Sequence, residues 1–109
     1  MYKLIVLLEK KADMTHEEFL EHWHGPHVEM AKELPKLKKY VTSVPVDPDA
    51  SRYDGLAELH FESPDDAEVA GESDVQKAAI EDSKEFLETV PADRVFVEPI
   101  VQMDETETA

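Results

Sequence analysis

The run YKLIVLLE at residues 2–9 is apolar on both of its alternating sets, Leu4, Val6 and Leu8 on one and Ile5 and Leu7 on the other. An extended chain turns successive side chains to opposite sides. A strand with one wet face alternates apolar and polar residues, so this strand calls for cover above and below. The same two-sidedness is present in KKYVTSVPV at 38–46, GLAELHFE at 55–62 and RVFVEPIVQ at 94–102. Pro45 confines the end of the second strand to an edge or a terminus, because it has no N–H for a ladder. A chain of 109 residues builds one domain around one core. Helices from one such domain cover one sheet face only. The expectation is a homodimer in which the two bare faces pack together.

The segments between the strands read as helices and turns. Residues 10–14 form a charged turn. Thr15 and Glu18 then make a capping box, in which each side chain bonds the other's backbone N–H. The helix runs towards Glu33 and stops at Leu34-Pro35, since a residue before proline is pushed out of the α region. DPDASRYDG at 47–55 is a turn-rich loop whose Asp54-Gly55 pair marks entry into the third strand. Ser63-Pro64-Asp65-Asp66 combines a cap residue, a proline in the first turn and acids facing the helix dipole. That helix reaches Ala70, before Gly71. Ser73 opens another, with Gln76 completing a box, which extends to Thr89 and is stopped by Pro91. The order β-α-β-β-α-β is an α+β, ferredoxin-like arrangement, a four-stranded antiparallel sheet with its helices on one face. One domain is expected over 1–102, followed by a polar tail at 103–109.

Charge narrows the partners. The net charge of −15 is carried entirely by residues 47–109, with nineteen acids against four bases, while residues 1–46 balance at seven each. Such a surface repels duplex nucleic acid and anionic membranes. The acids are scattered through helices and loops, as in the solvated shell of a protein from a salt-rich, halophilic cytoplasm. No apolar run is long enough to span a bilayer. The first residues lack the cleavage site of a secretory signal. With no cysteine, disulfides, zinc thiolates and thiol nucleophiles are excluded. A cytoplasmic location is expected.

The chemistry concentrates in FLEHWHGPHVEM at 19–30, which holds three of five histidines and the only tryptophan. At about 100° per residue, Phe19, Trp23, His27, Met30 and Leu34 share an arc of roughly 80°. His27 therefore points at the sheet, whereas His22 and His24 fall on opposite flanks and read as solvated. Pro26 cannot donate to the carbonyl of His22, and loosens the helix just before the inward ring. On the third strand Glu58 and His60 share a face, directed either at the helices or at a partner subunit. Tyr40 opens the second strand with a phenol able to donate.

Phe19, Trp23 and His27 in the pattern F-x-x-x-W-x-x-x-H, with LPKLKKY at 34–40 and GLAELHF at 55–61, resemble the EthD family of the dimeric α/β-barrel superfamily. The resemblance runs from Tyr2 to Val101. It implies a ferredoxin-like protomer that dimerises through its sheet. It also implies a pocket between helix and sheet beside the position of His27. Members often carry a reductase or oxidoreductase label. Similar proteins include methylmuconolactone isomerases, whose strand-three cysteine is matched here by Leu59, and polyketide cyclases. Haem-degrading relatives use an asparagine, which this chain lacks altogether. No Gly-rich phosphate loop supports a nicotinamide-dependent reductase.

Two functions follow. One is cofactor-free, isomerase- or cyclase-type proton transfer on a small apolar carbonyl metabolite. His27 would be the general acid or base, Phe19, Trp23, Met30 and Leu59 the walls, and Tyr40, Glu58 or His60 the orienting groups. The other is a dimeric carrier that holds an apolar metabolite without turnover. No cofactor or metal is expected, since His22, His24 and His27 are spread around the helix.

Overall fold

The computed structural model describes residues 1–106; the end of the expected tail, 107–109, lies outside the described residues. The strands are β1 (Tyr2–Leu8), β2 (Lys39–Ser43), β3 (Gly55–Phe61) and β4 (Asp93–Val97). They form one sheet in the order β2-β3-β1-β4, with every neighbouring pair antiparallel. The helices are α1 (His16–His22), α2 (Val28–Ala31), α3 (Pro64–Gly71) and α4 (Asp74–Ser83). This is the ferredoxin-like fold that the element order predicts.

Burial along β3 identifies the covered face. Gly55, Ala57, Leu59 and Phe61 are buried, while Leu56, Glu58 and His60 between them are half-exposed. Register carries that face across the sheet: Leu59 pairs with Leu4 and Tyr40, and Val6 with Ala57 and Arg94. The helices close over it, and Phe19, Trp23 and Phe86 are fully buried there. The opposite face presents Ile5, Leu7, Val41, Leu56, Val95 and Val97, with Val95 about half exposed at 51%. Glu58 and His60 lie on this open face, where Lys3 Nζ donates to Glu58 Oε1 at 2.6 Å.

The caps form as the sequence predicts: Thr15 and Glu18 bond reciprocally, and Ser63 and Ser73 accept from the N–H groups of Asp66 and Gln76. Three boundaries differ from expectation. The helix expected to reach Thr89 ends at Ser83. Beyond it Lys11 N–H donates to the Phe86 carbonyl and Glu88 N–H to the Glu9 carbonyl, and Phe86 and Leu87 become buried. Tertiary burial of those two side chains overrides a continuous helix. The last strand stops at Val97 rather than 102, because Pro99 offers no ladder donor. The second strand stops at Ser43, two residues before Pro45.

Candidate active site

The site is built where the first helix changes pitch. Because Pro26 has no N–H for the His22 carbonyl, residues Trp23–His27 wind as one π turn between α1 and α2. The Val28 N–H reaches back five residues to the Trp23 carbonyl. In a π turn, positions five apart come into line. His22 is thereby carried round to the side of His27, which corrects the expectation that it is a solvated flank residue. The extra residue also shifts the phase beyond the turn. Ala31 faces the sheet and is buried, while Met30 lies outside the cavity lining.

Both rings meet Asp82 of α4. His27 Nδ1–H donates to Asp82 Oδ2 at 2.8 Å, and His22 Nε2–H donates to the same carboxylate at 3.0 and 3.1 Å. An ionised carboxylate only accepts, so both protons are assigned by chemistry. Phe86 backs the pair, its ring centroid 4.8 Å from that of His22 and 4.9 Å from that of His27. Burial pulls the His27 pKa below its ordinary value; the hydrogen bond and charge of Asp82 oppose this, and the charge of His22 adds to it. The result is a neutral imidazole at neutral pH, oriented through Nδ1, with its lone pair at Nε2. These His–Asp contacts are hydrogen bonds. Among the described residues, no three histidine or carboxylate side chains converge as metal ligands.

His27 lines a cavity of about 60 Å³ between helices and sheet, with Trp23, Leu34, Tyr40, Leu59 and Arg94. That is several times the space one water needs. A second hollow of about 200 Å³, bordered by Phe61, Ala67, Gly71 and Phe96, shares Leu4, Leu34, Leu59, Gln76 and Arg94 with the first. Gly55 seats the cavity wall: a Cβ there would fall 2.5 Å from Trp23 Cζ3 and 2.6 Å from Cη2. Burial pushes the Tyr40 phenol above its ordinary pKa, against a smaller opposing effect of the Trp23 indole N–H. Tyr40 therefore keeps its proton and can donate it to an oxygen that gains charge.

Of the residues expected at the site, His27, Trp23, Tyr40 and Leu59 line one cavity. Phe19 does not; it lies behind Trp23, with centroids 5.4 Å apart, as core. Glu58 and His60 are on the open face of the sheet, so neither orients His27. Their alternation is as expected, but the covered set is the odd-numbered one. Asp82 and Arg94 were missed. Each carries a visible signal: Asp82 lies with Val75, Ala79 and Phe86 inside a helical arc of roughly 60°, and Arg94 shares its strand face with Phe96.

A carboxylate-oriented histidine beside a cavity on a ferredoxin-like sheet places the chain among small α+β proteins of that fold. The EthD domain model matches residues 11–89, and the chain belongs to the EthD family. It is similar to a 4-carboxymethyl-4-methylbutenolide mutase from Pseudomonas reinekei, 33% identical over 96 residues that span 80% of this chain and 89% of the relative. Among solved structures it is similar to an EthD family protein from Bacillus halodurans C-125, with a TM-score of 0.79 and 24% identity, covering 92% of this chain and 99% of that one. A dimeric protein of ferredoxin-like fold from Bacteroides fragilis aligns with a TM-score of 0.71 and 22% identity, over 89% of this chain and 94% of that one.

Proposed function

We propose that this protein is a cofactor-free isomerase acting on a small unsaturated carbonyl compound held between the first helix and the sheet. The observation that carries the reading is the 2.8 Å bond from His27 Nδ1 to Asp82 on a ring that also lines the cavity. That bond fixes the tautomer and leaves Nε2 as the base. His27 Nε2 removes a proton from carbon next to the carbonyl, and the Tyr40 phenol donates to the developing enolate oxygen. The imidazolium, paired with Asp82, returns the proton at another carbon of the conjugated system, so product and substrate have the same composition. The mutase relative supports an isomerase-type reaction. Trp23, Leu34 and Leu59 exclude water from the reacting carbon.

The proposal includes a homodimer formed through the open sheet face and a cytoplasmic location. The partly exposed apolar rows of that face support the dimer, as does the dimeric Bacteroides protein of the same fold.

Proton transfer is tested by following deuterium incorporation next to the carbonyl of unsaturated γ-lactones in D₂O by NMR. His27→Ala is expected to slow incorporation by at least about 100-fold with ligand affinity retained. Incorporation that persists in the variant overturns the reading. Tight binding without any exchange in the wild type replaces it with the carrier.

A further inference from the structure

Arg94 is used by none of the chemistry above. β4 pairs it with Val6, so it projects from the covered face of the sheet, and it lines both hollows where they meet. Its Nε–H donates to the Ala92 carbonyl at 3.1 Å, which anchors the guanidinium by one edge. Among the described residues no carboxylate pairs with it, although the chain has 26 acids to 11 Lys and Arg. Tyr53 bonds the neighbouring Asp93 instead. Arg94 is exposed, and desolvation by the groups packed against it lowers its pKa. Gln76 from α4 stands at the same junction.

A cation held by one edge, with no counter-ion among the described residues and bordering two hollows, has the geometry of an anion anchor. Guanidinium binds a carboxylate with two parallel hydrogen bonds, which fixes orientation as well as position. We propose that Arg94 binds a carboxylate on the substrate, and that the substrate is a small unsaturated carbonyl acid whose reacting carbon lies in the His27 hollow and whose remainder fills the hollow beside Phe96. The inference rests on the isomerase reading for the identity of the site, and adds the substrate class. It also explains how a chain of net charge −15 accepts an anion. Arg94 remains partly open to solvent and borders both hollows, so it sets a positive charge beside their walls.

The test compares an unsaturated γ-lactone bearing a carboxymethyl group with its methyl ester, by calorimetric titration of the wild type and of Arg94→Gln and Arg94→Lys. The acid is expected to bind the wild type about tenfold to a hundredfold more tightly than the ester. Arg94→Gln removes that preference without changing the ester's affinity, and Arg94→Lys retains part of it. Equal binding of acid and ester by the wild type overturns the anchor, as does a preference that survives Arg94→Gln, or no binding of either compound at millimolar concentration. The two proposals fail separately. Arg94-dependent binding without deuterium exchange keeps the anchor and removes the isomerase, whereas exchange without a carboxylate preference does the reverse.

Discussion

Replacing Asp82 with asparagine keeps the shape of the side chain and removes its charge, which makes it the sharpest probe of the site. The carboxylate accepts from two ring nitrogens, at 2.8 Å from His27 and 3.0 Å from His22. An amide has one acceptor end and one donor end. If its oxygen faces His27, the NH₂ meets the His22 nitrogen and forces the other tautomer there. If it faces His22, the tautomer of His27 inverts and Nε2 becomes a donor, no longer a base. In either arrangement the charge that supports the imidazolium is gone. Hydrogen bonds to charged groups contribute about 1.5–3 kcal/mol and neutral ones about 1 kcal/mol, so a net loss of about 1–2 kcal/mol is expected. For a domain of this size that is a fall in Tm of about 5–10 °C. Turnover falls by about 100-fold or more, the ordinary worth of a general base. The assay that needs no substrate is NMR titration of the imidazole signals. Wild-type His27 titrates below its ordinary value because burial outweighs Asp82. The asparagine variant titrates lower still, since both effects that raise the pKa come from Asp82. The unfolded chain, with an ordinary pKa, binds more protons than the folded one between the two values. Wild-type stability from this group is thus complete above the ordinary histidine pKa, and is lost as pH falls from there through the folded value. In the variant the loss continues to lower pH. An unchanged His27 titration in Asp82→Asn would refute the claim that this carboxylate holds the ring.

Four further outcomes are expected. Gly55→Ala forces the Trp23 ring from a seat where the new Cβ would lie 2.5 Å away, costing about 1–3 kcal/mol by thermal melting; an unchanged Tm would mean the indole is loosely held. Pro26→Ala restores the N–H that a regular α turn requires, and NMR should then show His22 released from Asp82, with His27 alone retaining it. Rising KCl should raise the Tm, because screening relieves the self-repulsion of a chain with net charge −15; a Tm flat across molar salt would remove the high-salt reading of the surface. Val95→Asp on the open sheet face should convert a dimer to a monomer in sedimentation at micromolar concentration, and a wild type that is already monomeric there would count against the interface.

Local chemistry decides much of this molecule. Thr15, Ser63 and Ser73 cap their helices as side-chain oxygens dictate, and the two-sided apolar strands specify the ferredoxin-like sheet, although the last strand, expected to run past Pro99, stops before it. The inward aim of His27 was also legible, because Phe19 and Trp23 lie on the same stripe. What a periodicity could not express was the pitch change. A regular α helix puts His22 on a flank, and only the π turn, made possible by the missing N–H of Pro26, aligns it with His27. Alternation puts Glu58 and His60 on one face of β3 but does not say which side the helices cover, because the neighbouring β1 is apolar on both faces; the helices' position selects one. Asp82 and Arg94 belong to the site through contacts from α4 and β4, dozens of residues away in sequence. Nearest-neighbour preferences act over a few residues, whereas a binding site is assembled by packing, which is a property of the whole folded chain.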